Sequence, residues 1–355
     1  MVSPRHTIDA SLWDGQRRDV PAVNAATLMF PAQHPRRIAR GSTDPKTLFL
    51  GAYERFADQC RAFDEPGLAV IAVDEDTCRP AGIVRLTARV GRPVAAIVGR
   101  HDHCDLYLHA REDLALRQMA VVLEPVANWT RGSTTIRYRM LDLRTSEAMK
   151  GEDGKRIRGL VAEGPAIVRC GGYTLFALPL GDPSDWPETA EDAWSMLPAR
   201  VYLDEIPPDV ARGSLPVMPR RAPELHVGAS TLITRTPGVR DTGMKLVQGD
   251  IAGYLDLYLP TKEVTLAIGE SALRDGVLIG RYDRCDAKDV AGDDTSLSRV
   301  HALLMRMEDR LVLLDTASSN GTFERGQQVR LVVIEADTEL RLGKKTFARW
   351  RAVTK

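Results

Sequence analysis

The hydrophobic rhythm of the chain changes along its length. From Pro45 to Phe63 the apolar residues Leu48, Leu50, Ala52, Tyr53, Phe56, Ala57, Cys60 and Phe63 largely keep helical spacing, with Ser42 and Thr43 ahead of them as capping candidates. This predicts one amphipathic helix. From Leu68 onward the apolar residues come in short runs, Leu68 to Val73, Ile83 to Ala88 and Val94 to Val98, divided by Gly, Pro and Asp, which predicts strands. A second series follows at Tyr254 to Leu259, Glu263 to Ile268, Gly276 to Ile279, Ala302 to Met307, Leu311 to Leu314 and Val329 to Ile334. Residues 1 to 43 show no period and read as an irregular arm. Between Pro179 and Pro260 lie eleven of the 21 prolines, which oppose continuous helices and interior strands and predict an extended connection with some local structure. The fold class read from the pattern is mainly β, in four segments: an N-terminal arm with one amphipathic helix (1–67), a β domain (68–178), a Pro-rich linker (179–253) and a second β domain (254–355).

Composition narrows the function more than the fold. A chain of 355 residues suits two or three domains that each bury a core. Its 48 basic and 48 acidic residues cancel, so no overall field draws it to nucleic acid or an anionic membrane, and any anion site must be local. The start lacks the pattern of a secretory leader and no apolar run reaches membrane-spanning length, so a cytoplasmic protein is expected. The five cysteines are odd in number and contain no CxxC pair, so reduced thiols are expected. His101, His103, Cys104 and His109 have metal-compatible side chains without a familiar zinc spacing.

A repeat changes this picture. Ile97-Val-Gly-Arg-His-Asp-His-Cys-Asp105 lies against Leu278-Ile-Gly-Arg-Tyr-Asp-Arg-Cys-Asp286 without a gap. With a one-residue shift, Leu116-Arg-Gln-Met lies against Ser298-Arg-Val-His; further on, Met140-Leu-Asp142 lies against Leu313-Leu-Asp315, and Arg169-Cys-Gly171 against Arg341-Leu-Gly343. A duplicated domain is the reading. It also argues against a metal, because Tyr282 and Arg284 stand where His101 and His103 do; Cys104 and Cys285 read as small apolar residues filling one core position in each repeat.

Three elements of the second repeat carry chemistry: Gly280-Arg281, Ser298-Arg299-Val300-His301 and Ser318-Ser319-Asn320-Gly321-Thr322. A phosphate with nearly two negative charges needs forked cations and fixed donors. Arg281 and Arg299 supply the cations at strand-to-loop transitions, Ser298 a short hydroxyl, and Asn320 an amide able to pair with an extended peptide backbone, while Gly321 permits a tight turn. In order and spacing, residues 262 to 354 resemble the forkhead-associated (FHA) domain family. The resemblance implies two FHA-like β-sandwiches, the first degenerate. It also implies a phosphate held by Arg281, Ser298, Arg299 and Ser319, a peptide main chain gripped by Asn320, and structural roles for Gly280, His301 and Gly321. By the same resemblance the ligand is a phosphothreonine in a partner protein, such as a serine/threonine kinase or its substrate.

In the first repeat Leu116 stands in for the serine, Met119 for the histidine and Glu147-Ala148 for Asn-Gly, so its phosphate site reads as damaged, with Arg100 and Arg117 leaving room for weak anion binding. No enzyme is expected. Ser298, His301 and Asp315 are triad types, yet positions three apart on a loop-to-strand segment alternate to opposite faces, and no GxSxG, Walker or dinucleotide fingerprint occurs. No cofactor, metal, membrane or nucleic-acid partner is expected. The function expected is therefore a phosphothreonine-dependent adaptor in serine/threonine kinase signalling. The alternative is a phosphate-independent scaffold or oligomerisation protein built from both sandwiches, and self-association stays open with it. Thr231, Thr234, Thr236 and Thr242 beside Arg235-Thr-Pro-Gly238 suggest an exposed turn that a kinase could reach.

Overall fold

The computed structural model describes residues 7–9, 25–29, 43–127, 135–205, 230–237, 246–247, 250–287, 294–307, 309–335 and 338–353. Two β-sandwiches dominate. The first contains β3 (Gly67–Asp74), β4 (Arg79–Thr87), β5 (Val94–Gly99), β6 (Leu106–Tyr107), β7 (Met119–Leu123), β8 (Tyr138–Asp142), β9 (Lys150–Gly151), β10 (Ile157–Ala162), β11 (Ala166–Cys170) and β12 (Tyr173–Leu180). It is preceded by β1 (Thr7–Asp9) and β2 (Ala25–Met29), in the stretch where the sequence shows no period, and β2 extends the sheet beside β4. The second contains β15 (Ile251–Tyr258), β16 (Glu263–Gly269), β17 (Val277–Ile279), β18 (Ala302–Met307), β19 (Arg310–Asp315), β20 (Thr322–Glu324), β21 (Gln327–Val329), β22 (Leu331–Ile334), β23 (Glu339–Leu342) and β24 (Thr346–Ala352).

The single helix expected near residue 50 is a broken pair, α1 (Pro45–Ala52) and α2 (Ala57–Arg61), joined by a helical turn at Tyr53–Arg55. The break falls at Phe56 (φ −121°), whose ring packs edge-on to Phe49 and Tyr53. The cap is Asp44, whose carboxylate accepts the Thr47 N–H at 3.2 Å. Thr43 instead donates its hydroxyl to Glu75 O, and Ser42 lies outside the described residues.

The stretch 179–253 is more than a connection. It supplies α3 (Ala190–Met196), β13 (Ala199–Asp204) and β14 (Ser230–Pro237), and β14 pairs with β10 to widen the first sandwich. Proline is compatible with this because none falls inside β13 and Pro237 ends β14. The threonine turn is therefore corrected. Thr231, Thr234 and Thr236 lie in β14 between two neighbouring strands, Thr231 is buried, and Arg235 is buried against Asp153 and Asp204. Thr242 lies outside the described residues.

Sheet I has the strand order β1-β2-β4-β3-β12-β11-β9, and sheet II β13-β14-β10-β8-β7-β5-β6. In the second sandwich, sheet III runs β16-β15-β24-β23-β20-β21 and sheet IV β17-β18-β19-β22. Strand for strand, β4-β3-β12-β11-β9 matches β16-β15-β24-β23-β20, and β10-β8-β7-β5 matches β22-β19-β18-β17. Each sandwich has its own core between its two sheets.

Two further apolar layers bind the molecule together. One packs α1, α2 and α3 onto sheet I through Leu48, Phe49, Phe56, Ile71, Phe176 and Trp186. The other lies between sheet II and sheet IV, where Ile97, Cys104, Ala120, Val122 and Leu141 meet Leu278, Cys285, Leu303, Met305 and Leu314. The layers thus stack as helices, sheet I, sheet II, sheet IV, sheet III, with the two sandwiches facing each other through equivalent strands. This explains the strand texture. In β7 every residue is buried, and in β18 all but Arg306, because each strand has a core on both faces. In β24 burial alternates, because the outer face of sheet III meets solvent.

Candidate functional site

The three motif elements of the second sandwich meet at the loop end of sheet IV. Gly280 closes β17 so tightly on the neighbouring loop that a Cβ would stand 2.3 Å from Arg299 O, which no side chain tolerates. That contact sets Arg281 beside the Ser298-Arg299 segment: the Arg281 N–H donates to Ser298 O at 3.3 Å, and Tyr282 N–H to Arg299 O at 3.0 Å. The Arg281 Nε donates to Leu297 O at 2.8 Å, which fixes the root of an exposed guanidinium. Arg299, next along, is exposed as well.

Ser298 is buried at its base, and its Oγ accepts the Ser319 N–H at 2.9 Å. With a lone pair so engaged, the hydroxyl proton remains to be donated elsewhere. Ser319 is exposed, while Ser318 is buried, its N–H and Oγ both donating to the Asp315 carboxylate at 2.8 and 2.6 Å. Thr322 Oγ1 donates to the same carboxylate at 2.8 Å. Asn320 uses its Nδ2 to donate to Ser296 O at 2.7 Å, which ties the 318–321 loop to the loop before Ser298. Gly321 has φ +75°, a left-handed conformation, with Gln328 packed where a Cβ would point.

His301 is the central tie. Fully buried, it accepts the Ser298 backbone N–H at Nδ1 (3.1 Å) and meets Gly321 O at Nε2 (3.2 Å), so the proton sits on Nε2. Burial lowers its pKa and keeps the ring neutral. Ser298 and His301 are therefore neighbours, contrary to the opposite-face expectation, because His301 stands at the loop boundary just before β18, where strict alternation does not yet apply. They meet through the backbone, with the hydroxyl turned to Ser319 instead, so the pair is not a nucleophile and its base.

The structure thus brings together Gly280, Arg281, Ser298, Arg299, His301, Ser319, Asn320 and Gly321. Sequence reasoning missed Asp315 as the anchor of the 318–322 loop and Ser296 as the crossing acceptor. Asp315 was visible as a repeat match and as a triad-type residue but not as a loop anchor, and nothing marks Ser296 in the sequence.

The first sandwich repeats the scaffold with a different register from the one expected. Arg100 N–H donates to Ala115 O (3.1 Å) and His101 N–H to Leu116 O (3.0 Å), the bonds made by Arg281 and Tyr282 to Ser298 and Arg299. Gln118 N–H donates to Val98 O as His301 N–H does to Ile279 O. Ala115 therefore stands for Ser298, Leu116 for Arg299, Arg117 for Val300 and Gln118 for His301. This corrects the pairing of Leu116 with Ser298 and of Met119 with His301. A slip of one residue moves every side chain to the other face. Leu116, 38% exposed, sits where the second sandwich has a cation, and Arg117, 9% exposed, points into the layer between the sandwiches, so it is not an anion-binding group at the surface. Gln118 reproduces the histidine's ties: Oε1 accepts the Ala115 N–H at 3.1 Å, and Nε2 donates to Glu147 O at 2.8 Å.

Residues 277–343 match a family model described as the FHA domain. Among solved structures, a Synechocystis sp. protein is 21% identical over 30% of this chain and 99% of its own, with a TM-score of 0.26. The FHA domain of a Chlamydia trachomatis protein is 18% identical over 29% of this chain and 99% of its own, with a TM-score of 0.25. EmbR of Mycobacterium tuberculosis, solved in complex with a low-affinity phosphopeptide, is 21% identical over 29% of this chain and 26% of its own, with a TM-score of 0.23. A search of curated proteins gives no match.

Proposed function

We propose that the segment matching the FHA domain model, residues 277–343, binds a phosphothreonine in a partner protein through Arg281, Ser298, Arg299, Ser319 and Asn320. One observation carries this reading: the Ser298 hydroxyl accepts the Ser319 N–H, which leaves its proton to donate, while the exposed Arg281 is bonded through its backbone to Ser298 and the exposed Arg299 follows it in the chain. Such a set offers charge-assisted bonds to a dianion without first having to be assembled. An extended peptide would cross the loop tips, with the unused carbonyl of the Asn320 side chain facing its backbone.

Within this reading the chain is a non-enzymatic adaptor in serine/threonine kinase signalling, at work in the cytoplasm. Its partner is a threonine-phosphorylated protein. The matched strand orders and the equivalent hydrogen bonds support an internal duplication, with residues 68–204 and 230–237 forming a degenerate first unit and 251–353 the binding unit. Among the described residues no helix is long and apolar enough to cross a membrane.

The test is binding of a degenerate phosphothreonine peptide library to the full chain, beside its unphosphorylated copy and an Arg281→Ala, Ser298→Ala double variant. Loss of two charge-assisted contacts should weaken phosphate-dependent binding about 100-fold. Equal binding of phosphorylated and unphosphorylated peptides by the unaltered protein would instead favour the phosphate-independent scaffold.

A further inference from the structure

Arg117 is an expensive residue in its place. It lies in the apolar layer between sheets II and IV, at the position where the second sandwich has Val300, which packs into that layer. Among the described residues no carboxylate comes within salt-bridge distance of it; both Nε and Nη2 donate to a single acceptor, Ala317 O, at 3.1 and 2.6 Å. Burial lowers its pKa, as expected of a cation moved out of water. Packing alone does not call for a cation here, since valine fills the equivalent position.

Its acceptor lies two residues before Ser319 of the proposed site. Ala317 has φ +62°, an uncommon backbone state for a residue with a side chain, and it leads directly into Ser318, Ser319 and Asn320. A fork on its carbonyl fixes the peptide plane that carries the Ser318 amide, the first peptide of the loop that goes on to present the Ser319 amide. The same loop is held at its base by Asp315, which lies 3.8 Å from Arg330; Arg330 in turn pairs at 2.5 Å with Asp105 of the first sandwich. Both lines lead from the 318–321 loop into the neighbouring sandwich.

We propose that Arg117 is a positioning residue for phosphothreonine recognition: the first sandwich, which has lost its own site, holds the phosphate loop of the second in its binding geometry. The proposal rests on the phosphothreonine reading of that loop. It gives the degenerate unit a task that needs no ligand of its own.

The test compares the full chain with Arg117→Val, which installs the apolar side chain that the second sandwich uses at this position, and with Arg117→Lys, which keeps the charge but cannot fork. Hydrogen exchange is followed at the Ser318 and Ser319 amides without ligand, and affinity is measured with the phosphothreonine library. In Arg117→Val the two loop amides should exchange about tenfold faster and the library should bind about fivefold to tenfold more weakly, with β18 and β19 as well protected as before and no fall in the unfolding midpoint. Arg117→Lys should lie between the two. Unchanged loop exchange in Arg117→Val overturns the proposal, as does acceleration spread evenly through β18 and β19. If Arg117→Val does not fold, Arg117→Lys decides, and loop exchange equal to that of the unaltered chain overturns it. If the unaltered chain ignores the phosphate while Arg117→Val still loosens the loop, the functional reading fails and the brace stands.

Discussion

The two sandwiches share a strand order and a set of loop ties but differ in what those loops present. Ala115, Leu116 and Glu147 offer no hydroxyl, no cation and no amide where Ser298, Arg299 and Asn320 do. Yet Gln118 spans the same two loops as His301, and Asp142 accepts the Thr145 N–H at 3.0 Å as Asp315 accepts that of Ser318 at 2.8 Å. The ties that both sandwiches keep, through Gln118 or His301 and through Asp142 or Asp315, are thus distinct from the groups that would meet a ligand, although Ser298 and Asn320 also tie loops in the second sandwich. The second set can be lost while the first is kept, because the first satisfies buried polar atoms whose orphaning is costly whether or not a ligand binds.

Three changes would break or sharpen this comparison. The largest effect should come from Arg330→Met, which removes one of the polar links between the sandwiches and leaves Asp105 and Asp315 without their cation in a mostly buried setting. Denaturant unfolding should show a loss of about 3 kcal/mol; no loss would mean that the docking does not depend on Arg330.

A subtler change is His301→Gln, which copies the first sandwich's solution into the second. His301 has a pKa lowered by burial, so the unfolded chain takes up the proton first as the pH falls. The stability owed to the neutral ring is therefore complete above the ordinary histidine value of 6.5 and declines as the pH drops below it. The variant should match the unaltered protein at neutral pH within about 1 kcal/mol and lose part of the acid decline, as read from thermal midpoints at several pH values. Identical pH profiles would remove His301 as the source of that decline.

Smallest is Ala317→Gly. Relief of the left-handed backbone should raise stability by up to about 1 kcal/mol, because glycine adopts φ +62° without strain. A clear drop in the unfolding midpoint would show that the Ala317 methyl packs more strongly than its backbone strains.

Much of this was legible in the chain. Gly280-Arg281, Ser298 to His301 and Ser318 to Thr322 mark the site because each needs a particular residue type at a turn or close approach. The register of the repeat was not legible, and the reason is physical. Met119-Ala-Val-Val-Leu123 and Ala302-Leu-Leu-Met305 are apolar at nearly every position, so the alternation that would have fixed the pairing is missing. The same runs held the unread signal for stacked sheets, since a strand with one wet face would have alternated. β13 and β14 were hidden by the prolines around them, which mark loops correctly but say little about the short strands between.

The apolar layer between sheets II and IV has a consequence for assembly. The same strands face each other from both sides, which is the geometry of a two-fold dimer, here written into one polypeptide. Two separate chains meeting this way would dissociate on dilution. On one chain the partner is present at an effective concentration that dilution cannot change. The pairing is therefore indifferent to how much protein a cell makes, whereas either sandwich expressed alone would leave that apolar face uncovered.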